Sequence, residues 1–200
     1  MEKIIKAWYF SGTDKKLRYG DNRKIVIGRK HSVKGKIDLC ENGLHGSKSI
    51  LDALQYAPGP VVWQVELSGN MEKGSDKIAA RHRKYIDGGI DISDTLREFA
   101  RWSALQVLHL WDAPDVVKKY LETGNDELRA AARDAARDAA RATAREAAWD
   151  AARAAAWDAA RDAAWAAARA AAGDAAGDAA GAEQGKKLLD MVTKRLEAEL

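Results

Sequence analysis

The sequence is poor in the residues on which disulfide-stapled scaffolds and metal sites depend. Of its 200 residues, one is cysteine and three are proline. The single cysteine, Cys40, excludes an intramolecular disulfide and a cluster of thiolate ligands. The four histidines show no ligand spacing such as H-x-x-x-H, so we expect no metal site.

Long apolar runs are absent as well. None approaches the roughly 20 residues that a membrane-spanning helix needs, and the alanine-rich run carries an Arg or Asp every few residues. The start, MEKIIKAWYF, is too short and too charged for a secretory signal. We therefore expect a soluble, cytoplasmic protein that does not engage a membrane.

Positive charge is concentrated near the N-terminus. Residues 1–36 hold eleven Lys and Arg against three Asp and Glu, whereas the whole chain carries a formal net charge of +3. Such a patch raises the local concentration of anions such as phosphates or nucleic acid. The simpler interpretation is a solvated basic face on a small domain.

Residues 1–90 have the composition of short β-strands. The segments KIIKAWYF (3–10), KIVIG (24–28) and GPVVWQVELSG (59–69) are rich in β-branched and aromatic residues, and KIAARHRKYI (77–86) is a fourth candidate. In the third segment Val61, Trp63, Val65 and Leu67 alternate with Val62, Gln64 and Glu66, which predicts a strand with one buried face.

One short helix interrupts these strands. The segment 48–57 has apolar residues at helical spacing, follows serines suited to N-capping (Ser47 and Ser49), and stops before Pro58. After residue 90 the pattern becomes helical. We expect an α+β protein with a small mixed β-sheet domain (1–90), a helical connector (91–127), Ala-rich tetrapeptide-repeat helices (128–182) and an amphipathic C-terminal helix (183–200).

The repeat places Arg, Trp or Gly at every fourth position from Arg129 to Gly181. Four residues advance about 400° along an α-helix, so this column drifts about 40° per repeat and leaves no fixed apolar stripe. The alternatives are an exposed rod and shorter helices that fold back; the repeat tryptophans favour the second, because Trp is normally covered. These tryptophans are Trp149, Trp157 and Trp165.

The end of the chain combines a weak segment with a docking helix. Gly173, Gly177 and Gly181 each cost about 1 kcal/mol against Ala, which predicts a weak or broken helix. The following segment, KKLLDMVTKRLEAEL, carries a leucine-rich face. We expect this face to pack on the body of the protein or on a second copy, so a homo-oligomer through the C-terminal helices stays open.

Residues 39–69 resemble two families. The turn C-x-x-G-L-H-x-S, the short helix and the strand V-E-L-S-G resemble an uncharacterised domain family that is common in phage and prophage genomes and often carries Ala-rich tetrapeptide tails. The order of Gly–apolar–His, Ser, helix with Y-A and V-x-L-x-G also resembles the core of ADP-ribosyltransferases. The second resemblance implies an NAD pocket with His45, Ser47 and Tyr56 at its nicotinamide end and Trp8 or Tyr9 on the first strand.

The ligand-binding candidates are therefore His45, Ser47, Tyr56 and Trp8, together with Arg18 and Tyr19 from the basic N-terminal patch. His45 has two interpretations, a satisfied structural histidine and an acid or base near neutral pH. The first strand has neither His nor Arg and KIAARHRKYI has no Glu, although ADP-ribosyltransferases commonly place such residues there. This leaves a binding domain without catalysis as the preferred interpretation.

Two functional hypotheses follow. The first is a phage-type accessory protein that binds a host protein, a nucleic acid or a nucleotide-like ligand without chemistry, with an anti-defence or host-modulating role. The alternative is an active ADP-ribosyltransferase-like enzyme that uses NAD. A concave pocket lined by polar groups around His45 would favour a ligand site. A flat face with a filled, apolar interior would favour an interaction surface.

Overall fold

The computed structural model describes residues 3–19, 21–39, 41–151 and 176–199. The chain divides into two compact units, Met1–Leu96 with Gly185–Leu200, and Arg97–Gln184. All strands of the described residues lie in the first unit, and helices follow it along the chain. The predicted α+β class, a sheet followed by helices, is confirmed.

Five strands form one antiparallel sheet. They are β1 (Ile5–Ser11), β2 (Lys30–Ser32), β3 (Leu44–Gly46), β4 (Val61–Lys73) and β5 (Ile78–Asp91), in the order β1-β4-β5-β2 with β3 also on β5. All pairings among the described strands are antiparallel, so the predicted mixed sheet is wrong. A hairpin joins the long β4 and β5, and β5 offers its other edge to both short strands; parallel pairs would need long crossovers instead.

Three of the four predicted strands are observed and one is not. KIIKAWYF, GPVVWQVELSG and KIAARHRKYI correspond to β1, β4 and β5, whereas KIVIG is a loop in which Lys24 forms a lone bridge with Lys16. Within KIVIG, Ile25 is buried while Val26 and Ile27 are exposed. The loop therefore contributes one side chain to the core. The segment around His45, predicted as a turn, contains β3.

The core covers one face of the sheet and part of the other. Trp63, Val65 and Leu67 pack with Ala7 and Tyr85 in one cluster. Val62, on the opposite face of β4, is 0% exposed, so the prediction of a single buried face for this strand is wrong. Consecutive residues are therefore buried at the start of β4, which agrees with its continuous apolar sequence there.

The short helix α1 spans Ile50–Gln55. Ser49 is its N-cap, with its hydroxyl accepting from the backbone N–H of Asp52 at 3.4 Å. Ser47 is not a cap, because its backbone is paired with Trp8 at the edge of the sheet. The predicted capping role is therefore confirmed for Ser49 and wrong for Ser47.

The helices that follow are α2 (Ser93–Gln106), a 3₁₀ turn (Leu108–Leu110), α3 (Asp115–Thr123), α4 (Asp126–Ala151) and α5 (Ala176–Glu197). Pro114 precedes α3, and Gly124 ends it with a φ of 65°, a left-handed conformation that suits glycine. Asn125 caps α4 by accepting from the N–H of Glu127 at 2.9 Å.

The tetrapeptide repeat begins as predicted, since α4 continues without interruption into it. Gly177 and Gly181 lie inside α5, so of the two alternatives, a weak and a broken helix, a break at these two positions is wrong and the weak helix stays a prediction. The flanking alanines have the highest helix propensity and offset the cost of each glycine. The predictions for Trp157, Trp165 and Gly173 fall outside the described residues, as do the predicted burial of the Trp149 side chain and the choice between an exposed rod and folded-back helices.

The end of α5 has the predicted buried face. Leu188, Val192 and Leu196 are buried, and residues 185–200 group with the sheet in one unit. A Cβ atom on Gly185 would lie 3.3 Å from Cδ1 of Leu51, which places this part of α5 beside α1. Of the two predicted partners for this face, the body of the protein is the one observed. Within the described residues, no helix combines the length and apolarity needed to cross a membrane.

Candidate functional site

A cleft of about 690 Å³ lies along β1, and all six ligand-binding candidates line it. Its walls come from three consecutive residues of β1, the loop that carries Arg18, the segment that carries His45, and the end of α1. Residues far apart in the sequence thus share one concave surface. The candidates are Trp8, Arg18, Tyr19, His45, Ser47 and Tyr56.

The floor of the cleft depends on a close approach between β1 and the residues after β3. The backbones of Trp8 and Ser47 exchange two hydrogen bonds, of 2.7 and 3.0 Å, so the sheet curls back on its first strand. Gly46 permits this contact, because a Cβ atom there would lie 3.2 Å from both the Cβ of Ala7 and the carbonyl oxygen of Trp8. Ser47 is consequently buried and contributes mainly through its backbone position.

His45 is held as a neutral ring. Its Nε2 donates to the carbonyl oxygen of Leu39 at 2.8 Å, which assigns the proton to Nε2 and leaves Nδ1 as the acceptor nitrogen. Burial lowers the pKa of His45 below its usual 6.5, and the nearby cations of Arg83 and Lys77 lower it further, against the opposing effect of the Leu39 bond. The structure therefore gives His45 a structural contact within the cleft wall.

Arg18 and Tyr19 stand at the tip of a turn. Leu17 donates its N–H to the carbonyl of Arg23 at 3.0 Å, and Leu17 itself is buried, so it anchors the turn. Tyr19 has a φ of 60°, which is unusual for a bulky residue, and its side chain is fully exposed. Tyr19 therefore has an unfavourable left-handed backbone conformation, and its side chain lies in solvent at the rim of the cleft.

The opposite end of the cleft combines an aromatic ring with charges. The hydroxyl of Tyr56 donates to Oδ2 of Asp76 at 2.5 Å. The Nζ atom of Lys77 lies 4.6 Å from the centroid of the Tyr56 ring. Tyr56 is therefore oriented by two neighbours while its ring remains half exposed at the cleft.

Arg83, which the sequence-based candidates did not include, also lines the cleft although the residue as a whole is 2% exposed. Its Nε donates to the hydroxyl of Tyr85 at 2.9 Å, and a terminal nitrogen donates to the carbonyl of His45. The guanidinium carbon lies 3.6 Å from the centroid of the Tyr9 ring and 5.2 Å from that of Tyr85. The guanidinium is thus fixed in one orientation.

The charge of Arg83 is incompletely compensated. Among the described residues, no carboxylate forms an ion pair with it. Burial raises the pKa of Tyr85 to about 12, so that phenol stays neutral and supplies no anion. Contacts with aromatic faces return about 0.5–2 kcal/mol, whereas taking an ion out of water costs several kcal/mol. An anion bound in the cleft would compensate the remaining positive charge of Arg83.

The other charges of the cleft leave it positive. Arg18 and Lys77 join Arg83, and two carboxylates, Asp21 and Glu41, complete the charged lining in the part of the chain that the structure describes. Asp21 forms an ion pair with Arg23, whose guanidinium holds the pKa of that carboxyl below its usual value. The negative charge of Asp21 is therefore already neutralised.

A buried histidine lies directly behind the arginine. His31 pairs across the strands with Arg83 and packs edge-on against Tyr85, with ring centroids 5.5 Å apart. It is 2% exposed and neither ring nitrogen has a hydrogen-bond partner within the described structure. Burial, followed by the cations of Arg23 and Arg83, lowers its pKa, so His31 is a neutral ring in the core.

The sequence contains one signal that could have identified Arg83. Strand alternation puts Arg81, Arg83 and Tyr85 on the same side of KIAARHRKYI, and Tyr85 is a typical core residue. An arginine next to it on the inward face is exceptional, because charged residues are almost never buried unless they are paired. His31, in the short basic segment RKHSVK, carries no comparable signal.

The part of the chain that the structure describes bears on two kinds of site, a metal site and the catalytic pattern that the second resemblance implies. Within the described residues, no group of three or more His, Cys, Asp and Glu side chains is placed to hold a metal ion. Glu66 is adjacent on β4 to Leu67, the partner of Arg83, so it points to the other face of the sheet and does not line the cleft. Cys40 lies outside the described residues.

Comparison with known proteins extends these observations. Residues 9–98 match the model of a family described as a domain of unknown function, DUF7666. No curated protein and no solved structure matches the chain. The matched range contains all five strands except the start of β1, and it contains every described residue of the cleft apart from Trp8. The part of this chain that is similar to the family therefore includes almost all of the candidate site.

Proposed function

We propose that the cleft of the N-terminal sheet is a binding site for a phosphate-bearing, nucleotide-like ligand, and that the protein acts by binding rather than by catalysis. The observation that carries the proposal is the buried guanidinium of Arg83, which lines the cleft without a carboxylate partner among the described residues. Its Nε and one terminal N–H are engaged by Tyr85 and His45, which fixes the group, and the remaining terminal N–H groups can donate charge-assisted hydrogen bonds to phosphate oxygens.

The rest of the lining supports a ligand with a planar ring. Trp8, Tyr19 and Tyr56 are aromatic residues of the cleft wall, and Tyr19 is fully exposed at its rim. Stacking of a base on such a side chain is worth about 1–3 kcal/mol. Arg18 and Lys77 add positive charge on two different walls. A nucleotide or ADP-ribose offers the matching ring and phosphates.

Binding without chemistry is the preferred form of this proposal. Glu66 does not line the cleft, Asp21 is engaged by Arg23, and His45 is a neutral ring that donates to Leu39. In a phage-type accessory protein, such a cleft would take a nucleotide or macromolecule of the host. The alternative, ADP-ribosyl transfer from NAD, would require Glu41 or a residue from outside the described part of the chain to supply the carboxylate.

Two matched arginines of β5 test the proposal. Arg83→Gln removes the guanidinium that lines the cleft, whereas Arg81→Gln removes one that donates only to the loop carbonyls of Val33 and Gly35 and does not line it. Isothermal titration of the wild type with ADP-ribose, NAD and pyrophosphate should give saturable binding. Because hydrogen bonds to charged groups contribute about 1.5–3 kcal/mol, Arg83→Gln should weaken it at least tenfold, and Arg81→Gln should leave it nearly unchanged.

Two outcomes of the same titration would contradict the proposal. A wild-type protein that binds none of the three ligands, or an Arg83→Gln variant that binds them as well as the wild type, would overturn the proposal. Release of nicotinamide from NAD by the wild-type protein would establish the enzymatic alternative in its place.

A further inference from the structure

A second group of positive charges lies next to the cleft, where α1 meets the β4–β5 hairpin. Lys48, Lys73 and Lys77 line a smaller pocket of about 110 Å³ together with two carboxylates, Asp52 and Asp76. Lys3 lies close enough to Lys73 for its charge to lower the pKa of Lys73, and Lys48 acts in the same direction. We refer to Lys3, Lys48 and Lys73 as the lysine cluster.

Lys77 connects the two sites, since it lines both the cleft and the smaller pocket. Its ammonium group lies over the ring of Tyr56, whose hydroxyl is bonded to Asp76. One surface therefore runs from Arg83 and the aromatic residues of the cleft across Lys77 to the lysine cluster. The two carboxylates at the small pocket reduce its positive charge but do not cancel that of its three lysines.

We propose that this surface binds single-stranded nucleic acid, with bases on the aromatic residues of the cleft and the phosphodiester backbone extending over Lys77 to the lysine cluster. This inference rests on the proposed function of the cleft and names its ligand class. A mononucleotide would use Arg83 and the aromatic rings but would leave the lysine cluster without a phosphate.

The chemistry favours a single strand over a duplex and over an acidic protein segment. Sequence-tolerant single-strand sites combine a positive groove with aromatic side chains on which bases stack. In a duplex the faces of the bases are covered by their neighbours. An acidic peptide would satisfy the lysines, but it would have no planar rings for Trp8, Tyr19 and Tyr56.

The first measurement compares ligands of different length on the wild-type protein. Fluorescence anisotropy with labelled RNA and DNA strands of about 12 nucleotides should report binding at least about tenfold tighter than calorimetry gives for a mononucleotide. Affinity should fall steeply with salt, because several phosphates are neutralised. An abasic phosphodiester of equal length and poly-glutamate should both compete poorly.

The second measurement uses charge-matched double variants. Lys48→Gln with Lys73→Gln removes two charges from the lysine cluster, and Lys6→Gln with Lys84→Gln removes two exposed lysines that line neither pocket. The first pair should weaken oligonucleotide binding about tenfold, since each lost phosphate contact lowers both affinity and salt dependence. It should leave mononucleotide binding unchanged, and the second pair should change neither.

The outcomes separate this inference from the function on which it rests. Mononucleotide binding that depends on Arg83, together with oligonucleotides that bind no more tightly, would overturn the inference and leave the proposed function standing. Equal effects of the two double variants, or poly-glutamate competing as well as RNA, would also overturn it. Failure of every phosphate ligand to bind would overturn both.

Discussion

The sheet and the alanine-rich helix α4 differ in where their charged side chains lie. In the sheet unit, the guanidinium of Arg83 is buried against two tyrosine rings and forms no ion pair among the described residues. In α4, the described ion pairs Arg133–Asp134 and Arg141–Asp138 lie on exposed side chains. Buried charge has to be compensated by its surroundings or by a ligand, whereas exposed charge is compensated by water. The comparison favours the sheet unit as the place of the proposed binding site.

The largest effect is expected where the sheet unit packs its aromatic residues. Tyr85 is fully buried and contacts the rings of Tyr9, His31 and Trp63. Tyr85→Ala should lower the free energy of unfolding by about 3–5 kcal/mol, the range for a large aromatic side chain. Urea denaturation measures this loss. Tyr85→Phe, which keeps the ring and loses only the bond from Arg83, is the control and should cost far less.

Acid should destabilise the sheet unit through the buried His31 and the half-buried His45. The folded-state pKa values of His31 and His45 lie below the unfolded value of 6.5. The unfolded chain therefore takes up protons first, so the stability is complete above pH 6.5 and is lost as the pH falls below it towards the folded pKa values. Asp21, Arg23, Arg29 and Arg83 set the charge around His31.

His31→Phe tests this assignment, because phenylalanine keeps a ring against Tyr85 and cannot take up a proton. Melting temperatures measured from neutral to acidic pH should decline less steeply for the variant than for the wild type. Identical slopes would mean that His31 does not contribute to the acid sensitivity.

A smaller effect of opposite sign is expected at the rim of the cleft. Tyr19 occupies a left-handed backbone conformation that costs a non-glycine residue about 1–2 kcal/mol. Tyr19→Gly should therefore raise the melting temperature or leave it unchanged, while it weakens the binding of a nucleotide. Tyr19→Asn, which also tolerates this conformation, separates the loss of the ring from the gain in backbone freedom. A variant that binds as tightly as the wild type would remove Tyr19 from the site.

The smallest effect is expected in the repeat. Asp138 and Arg141 form an ion pair of 3.6 Å with side chains that are 76% and 71% exposed. Asp138→Ala should change the free energy of unfolding by less than about 0.5 kcal/mol, because exposed pairs contribute little and alanine favours the helix. A loss above 1 kcal/mol would show that this face is more than a solvated surface.

The difference between the two regions also explains what the sequence could predict. Long elements have strong periodic signals, so β1, β4, β5 and the start of the repeat helix were predictable from alternation and composition. The three-residue strands β2 and β3 carry no such signal, because their positions are set by the edge of β5. KIVIG has the right composition for a strand, yet tertiary packing uses only Ile25 as an anchor.

The candidate site was predictable in part for the same reason. The turn, helix and strand of residues 39–69, together with the first strand and the basic patch, were sufficient to select six residues that share one cleft. Arg83 was missed because composition describes RHRKY as a basic surface segment. Alternation with Tyr85 could have indicated an inward Arg83, but only the pairing of β5 with β2 places it beside His31.

The central claim is that the guanidinium of Arg83 binds the phosphate of the ligand. NMR of the arginine side chains tests this claim most directly. The Nε–Hε resonance of Arg83, assigned by its loss in Arg83→Gln, should shift in a saturable way when ADP-ribose is added, with the dissociation constant that calorimetry gives. The corresponding resonance of Arg81 should remain in place. A ligand that binds while the Arg83 resonance stays unchanged would contradict the account.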